Sequence, residues 1–286
     1  MLAVRMAARW QLTAMIRIFD IKAARKIYNP RKQDSYKGDY GHVLMVAGSA
    51  GMCGAAILST RACLHSGAGL ATVWSEEICR NPLQTSVPEA MFIAEEPSFA
   101  RFDVAACGCG LGRSEAALLK VKALLSSGIP LVLDADALNL IAFNNLQGKI
   151  PQDSILTPHV GEFERLAGKC QSAAEREAKA ACFAHEHKIV LVLKGHRSKI
   201  FAPGPVVYEN TTGNAGMATA GSGDVLCGII ASLLAQKYTP LQAAAFGVFL
   251  HGAAGDFASR ELSEEYITAM DIINHLPQAF LTVKNK

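Results

Sequence analysis

The chain of 286 residues predicts an α/β fold, with one central, mostly parallel sheet carrying helices on both faces in a single domain. Three observations carry that prediction. From Gly41 onward, short β-rich runs alternate with longer helical ones. The β-rich runs are almost continuously apolar, as strands covered on both faces must be, instead of alternating apolar and polar as in a half-solvated sheet. No linker rich in Pro, Gly or Ser divides the chain, and no repeat of roughly 20–50 residues recurs along it.

The elements follow in order. Residues 1–20 read as an N-terminal arm: positions 1–19 hold Arg5, Arg9 and Arg17 without one acidic residue, and Arg9 interrupts the apolar run that a secretory signal needs. The domain then spans residues 21–286. Strands are expected at His42–Ala47, Leu70–Trp74, Val104–Cys107, Pro130–Asp134, Ser154–Thr157 and Ile189–Lys194, with helices between them at Cys53–Ser66, Glu115–Leu125 and Ala173–His185. Ser198–Ala202 and Val206–Glu209, split by Pro203 and Gly204, form a hairpin near the sheet edge. Helices over 222–236 and 240–259 follow. Between Val225 and Gly255 the only charged residue is Lys237, yet Pro240, Gln242 and His251 mark this run as two buried helices instead of a membrane span.

Composition narrows the function. Hydrophobic residues make up 50% and charged residues 19% of the chain, enough to build a core and too apolar for disorder. A formal charge of +3 gives no basic surface for nucleic acid, and the nearest cluster, Arg25, Lys26, Arg31 and Lys32, reads as a solvated connector. Eight cysteines, several of them inside apolar runs, are too sparse for a disulfide scaffold and point to a reducing, cytoplasmic setting. Cys107 and Cys109 have no second pair to complete a tetrahedral site, and His185 and His187 lie on different faces of a helix, so no metal ligand is assigned.

In a parallel sheet, ligands sit beyond the carboxyl ends of the strands, where loops lead into helix N-termini. Five such loops stand out: 48–55, 108–112, 134–139, 157–162 and 213–224. In the last, glycines at 221 and 223 let the amides of Ala220, Gly221, Ser222 and Gly223 converge as an anion hole at the start of an apolar helix. Asp224 beside that hole either caps the helix or takes the proton of a substrate hydroxyl during phosphoryl transfer. Gly108, Gly110 and Gly112 are spaced G-x-G-x-G, not the dinucleotide G-x-G-x-x-G, and no G-x-x-x-x-G-K-[ST] occurs, so phosphates must be held by other means. His159 follows a proline at a strand end and is expected to face the crevice. Lys194, Gly195, His196, Arg197 and Ser198 end a buried strand with cationic and hydroxyl groups suited to nucleotide phosphates. Asp134 and Asp136 either support a magnesium ion through water or cap the following helix.

These stretches in this order resemble the ADP- or ATP-dependent NAD(P)H-hydrate dehydratase family of the ribokinase-like superfamily. The resemblance spans residues 37–260 and rests on Lys37 to Gly41 with the Gly48–Ala55 loop, Asp134 to Asn139, Thr157-Pro158-His159 with Gly161-Glu162, Lys194-Gly195, and above all Gly213 to Leu226. It implies a ribokinase-like fold and repair of a damaged cofactor. The S epimer of hydrated NADH or NADPH would be phosphorylated on its C6 hydroxyl, and phosphate would then be eliminated. Ala55, Gly110, Gly112, His159 and Asp224 would touch the hydrated dinucleotide, the segment from Lys194 to Ser198 with Gly223 would hold ADP or ATP with Mg2+, and Asp224 would be the catalytic base. Cys109 replaces a frequent proline and Ser198 a frequent threonine. ADP is the expected donor, as in the family's bacterial members. The resemblance also implies a homo-oligomer, a tetramer or larger. Because only residues 1–36 precede the matched region, the epimerase that many members carry is expected in a separate protein. Two other readings fit the same loops: a small-molecule kinase acting on a hydroxymethylpyrimidine or a sugar, and a catalytically silent nucleotide-binding protein.

Overall fold

The computed structural model describes residues 15–284. Ten strands form one sheet: β1 (Met15–Phe19), β2 (His42–Val46), β3 (Leu70–Trp74), β4 (Met91–Ile93), β5 (Val104–Cys107), β6 (Leu131–Leu133), β7 (Ile155–Leu156), β8 (Val190–Leu193), β9 (Lys199–Phe201) and β10 (Val206–Asn210). Their order across the sheet is β1-β10-β9-β8-β7-β6-β5-β2-β3-β4. Every pairing is parallel except the two that β9 makes, with β8 and β10. The hairpin read from Pro203 and Gly204 therefore lies near one sheet edge, as expected.

Eleven helices occur among the described residues: α1 (Ile21–Ile27), α2 (Cys53–His65), α3 (Arg80–Ser86), α4 (Glu115–Leu125), α5 (Ala135–Phe143), α6 (Val160–Ala167), α7 (Ala173–His187), α8 (Ser222–Ala235), α9 (Pro240–Leu262), α10 (Ala269–Asn274) and α11 (Leu276–Lys284). Local chemistry sets their starts. Ser114 accepts from the Ala117 amide at α4, and Thr239 with Gln242 forms a reciprocal cap behind Pro240 at α9. Successive strand residues face opposite layers. Val43, Met45, Val132 and Val192 pack against α2, α8 and α9 in one core, whereas Leu44, Val46, Leu133 and Leu191 pack against α4, α5 and α7 in the other. Leu, Ile and Val at consecutive positions are what a sheet sandwiched between two helical layers requires.

One boundary differs from expectation. The end of the predicted arm is part of the sheet: Met15–Phe19 pairs in parallel register with Val206–Asn210 as the edge strand β1. Met15, Ile16 and Ile18 are about half exposed while Phe19 is buried, so the segment carries an arginine and little burial, and it reads as an arm. The first 14 residues lie outside the described part. No described helix is long and apolar enough to cross a membrane; the Val225–Gly255 run divides into the buried helices α8 and α9, as predicted.

Candidate active site

Strands β2, β5, β6, β7 and β10 run in the same direction as β8 and end on the same side of the sheet, so the five loops singled out in the sequence, which follow them, converge there. Gly48 donates its amide to the Cys109 carbonyl at 2.9 Å, and Ser49 Oγ donates to the Gly110 carbonyl at 2.9 Å. At Gly110, φ is +56° and an added Cβ would stand 2.7 Å from Ala55 Cβ and 2.8 Å from the Met52 carbonyl, so only glycine lets the β5 loop reach the head of α2. Gly112 donates to Asp136 Oδ2 at 2.9 Å. Ala55, Gly110 and Gly112 are thereby brought into one patch of two interlocked loops.

Next along the sheet, Asp134 is 1% exposed at the head of α5. Its Oδ1 accepts from the Ala135 amide at 2.9 Å and from Lys194 Nζ at 2.7 Å. Asp136 is engaged by Gly112 and lies 3.9 Å from Arg113, so of the two aspartates read as a magnesium support only Asp134 faces the crevice's ion cluster. His159 caps α6: its Nδ1 accepts from the amides of Gly161 and Glu162, its Nε2 lies 3.2 Å from Glu162 Oε1, and Glu162 Oε2 accepts from the His159 amide. The exposed imidazole therefore stands at the crevice mouth, as expected.

Lys194 links these parts. Its Nζ lies 2.7 Å from Asp134 and 3.9 Å from Glu162. Burial works against its charged form, but the carboxylates of Asp134 and Glu162 outweigh that and hold the ammonium above its ordinary range. Burial pushes the Glu162 carboxyl up, opposed by Lys194 and reinforced by Asp134.

A cavity of about 830 Å3 opens beside Lys194, lined by His159, Gly195, His196, Ser198, Ser222 and Gly223 among others. Its size suits a nucleotide. Arg197 is not in this lining; its guanidinium turns toward Glu209 at 3.9 Å. Two further parts of the lining lie outside the loops singled out in the sequence: Asn210 and Thr212, just ahead of the 213–224 loop, and His251. Asp256 on α9 holds that loop by accepting from the Gly213 amide and the Asn214 side chain, both at 3.0 Å. His251 Nε2 lies 3.3 Å from Ser222 Oγ, and burial lowers this imidazole to about 4, keeping it neutral.

Helix α8 starts from Gly221, which at φ +87° takes the left-handed turn that aims the first amides into the crevice. No side chain caps this N-terminus. Ser222 and Gly223 line the cavity; Ala220, Gly221 and Asp224 do not. A Cβ on Gly223 would stand 3.5 Å from Lys194 Nζ and 3.7 Å from Asp134 Oδ2, so this glycine separates the ammonium from the helix head. Asp224 is half-buried. Burial raises its carboxyl to about 6, a hydrogen bond from the Cys109 thiol lowers it, Asp134 raises it and Lys194 lowers it. Asp224 does not cap its own helix, the alternative left open by the sequence.

The cysteines also depart from expectation. Cys53 and Cys79 form a disulfide across a separation of 26 residues, with Cα atoms 5.3 Å apart beside the Ser49 carbonyl. The sequence shows no spacing signal for it. Six cysteines are free; Cys107 and Cys109 do not pair with each other, and Cys109 faces Cys227 instead.

Comparison with known proteins places this geometry. The family model for NAD(P)H-hydrate dehydratase matches residues 43–278. The ADP-dependent (S)-NAD(P)H-hydrate dehydratase of Neisseria meningitidis is 39% identical over 242 residues, which cover 80% of this chain and 81% of that one. The chain spans about half of some curated relatives: the bifunctional NAD(P)H-hydrate repair enzyme of Moorella thermoacetica is 42% identical over 270 residues, 87% of this chain but 51% of that protein. Among solved structures, a ribokinase-like superfamily protein of Enterococcus faecalis superposes with a TM-score of 0.86 at 32% identity, covering 94% of this chain and 96% of that one. The ADP/ATP-dependent NAD(P)H-hydrate dehydratase of Bacillus subtilis, co-crystallised with ATP/Mg2+, gives 0.78 at 29% identity, covering 93% and 98%. The fold is ribokinase-like, and the chain belongs to the NAD(P)H-hydrate dehydratase family.

Proposed function

We propose that this protein is an enzyme, a carbon–oxygen lyase that removes water from the S epimer of hydrated NADH or NADPH at the expense of ADP, with ATP as the alternative donor. The observation that carries this reading is the uncapped N-terminus of α8, where Ser222 and Gly223 face a nucleotide-sized cavity next to the Asp224 carboxylate.

The donor's phosphates would lie in that cavity against Lys194, Gly195, His196, Ser198 and Gly223. Arg197 contributes from outside the lining, through long-range charge. The hydrated nicotinamide would lie against Ala55, Gly110, Gly112 and His159, with its C6 hydroxyl at Asp224. Asp224 accepts the hydroxyl proton as the oxygen attacks the terminal phosphoryl group, and the amides of Ala220, Gly221, Ser222 and Gly223 stabilise the charge that develops on it. Phosphate then leaves C6 as a proton is lost from C5 to solvent and the C5–C6 double bond returns, so the net change is loss of water and hydrolysis of the donor. Lys194 stays charged because of Asp134 and Glu162 and is positioned to meet donor phosphate without titrating.

Magnesium fits these residues. Asp134 and Glu162 are hard oxygen donors, and together they outnumber the one ammonium between them. Bound through water, the ion would neutralise donor phosphate. The relatives' names support ADP as donor; a cytoplasmic setting and a separate epimerase belong to the same reading. A homo-oligomer of four or more chains and a domain spanning 21–286, extended by β1, complete the reading.

Mixing the purified protein with enzymatically prepared hydrate and either ADP or ATP tests it. The nicotinamide absorption band should return, with one phosphate released per dinucleotide repaired. A stable phosphorylated product without recovery of the band would indicate a small-molecule kinase, and no turnover with either donor a silent binding protein.

A further inference from the structure

Two buried thiols that the proposed reaction leaves unused meet the Asp134 carboxylate near the head of α8. Cys109 Sγ comes from the loop after β5, an Asp134 carboxylate oxygen from the head of α5, and Cys227 Sγ from the first turns of α8. All three residues are buried, and their ligand atoms lie within 4.8 Å of one another. Asp224 stands three positions before Cys227 on the same face of α8, outside this group. The set is two sulfurs and one carboxylate oxygen, converging from three parts of the chain.

Sulfur ligands select soft or borderline ions such as zinc, cadmium or copper(I) over magnesium. Tetrahedral zinc, with bonds of about 2.3 Å to sulfur and about 2.0 Å to oxygen, holds its donors roughly 3.5–3.8 Å apart, so this cluster closes on an ion by contracting about 1 Å. The half-buried Asp224 side chain gives the path in from the crevice.

We propose that Cys109, Cys227 and Asp134 form an inhibitory site for a soft divalent cation, Zn2+ or Cd2+. Binding releases one proton from each thiol to solvent, and the ion forms two metal–sulfur bonds. The ion also replaces Lys194 as the charge partner of Asp134, so the site either holds the soft ion or keeps the ammonium placed for donor phosphate. The inhibition rests on the role proposed for Lys194; the binding itself does not.

The test is a cadmium titration of the full chain, reduced with a phosphine so that no added thiol competes, read by the ultraviolet thiolate-to-cadmium charge-transfer band. Saturation at one ion per chain is expected in a Cys53→Ala/Cys79→Ala variant, which removes the other adjacent thiol pair. Adding Cys227→Ala should halve the band and weaken binding by more than the ~10-fold that losing even an outer-shell partner costs. Adding Cys109→Ala as well should abolish it. A band that survives loss of both thiols, or that is absent from the Cys53→Ala/Cys79→Ala variant, overturns the site. Should the Cys109 and Cys227 variants fail to fold, Asp134→Asn in the otherwise unchanged chain decides: an unchanged cadmium affinity refutes the cluster. None of these readouts needs hydrate or nucleotide, so failure of the metal site and failure of the dehydratase reading are separate results.

Discussion

Asp224 sits where burial opposes its charge and the proposed reaction requires it. Its folded-state value of about 6 lies above the unfolded 3.8, so folding favours the protonated form. The stabilising contribution is complete below pH ~4 and disappears as pH rises through ~6, which leaves the ionised group a liability of order 2–3 kcal/mol at neutral pH. Asp224→Asn is therefore expected to unfold at higher denaturant concentration than the parent at pH 7 while turning over ~10²–10⁴-fold more slowly, with nucleotide affinity little changed. Equilibrium denaturation and steady-state kinetics on the same preparation check both halves. The pH profile follows the same sign: kcat should fall about tenfold per unit below pH ~6, where the base is protonated. Replacing Cys109 by alanine removes the donor that lowers Asp224, and the acid limb should move to higher pH; serine, which keeps a donor, should restore it.

At the scale of single elements, the ends of β6, β7 and β8 are held together by one ion cluster. Lys194→Met leaves Asp134 and Glu162 buried without their cation, an arrangement that costs about 3–5 kcal/mol when one partner of a buried pair is removed. Adding Asp134→Asn to Lys194→Met should return part of the lost stability but none of the nucleotide affinity, as thermal melts and calorimetric ADP titration would read. Gly110→Ala forces a left-handed backbone and a 2.7 Å contact against Ala55, so the loop must withdraw from α2; the expected result is a higher KM for the hydrate with ADP affinity retained. Much of this level was legible beforehand. The six central strands, the hairpin and five of the eleven helices carry dense apolar runs bounded by glycine, proline and capping residues, and those signals are local; the six other helices, all of nine residues or fewer, were not read. Strands β1 and β4 were not legible, because both are edge strands with exposed or half-exposed residues and so lack the continuous apolar run of the central strands. Glu162, Asn214, His251 and Asp256 escaped a role for a related reason: each acts through a partner 3 to 42 residues away, or across helices, and partner identity is absent from any window of sequence.

Over the whole molecule, the N-terminal strand is tied to the far end of the chain. Phe19 packs edge-on against Tyr208 and Phe249, joining β1 to β10 and to the long helix α9. Phe19→Ala should destabilise by about 3–5 kcal/mol, a shift that calorimetric melting resolves, although residues 15–18 are mostly solvent-facing. The order of the loops along the chain was enough to suggest the family, since that order needs no distances. The Cys53–Cys79 link and the meeting of Cys109 with Cys227 were beyond reach, because both depend on how α2, α3 and α8 dock.

The crevice draws its walls from residues 48–55, 108–112, 134, 159–162, 194–198 and 213–224, spread over most of the chain and stitched by parallel crossovers. A nascent polypeptide emerging from the ribosome therefore has no competent pocket until its last third has been translated, and ligand cannot act as an early folding template. Limited digestion that severs the chain anywhere between these segments should abolish capture of nucleotide in one step, with no fragment keeping partial affinity.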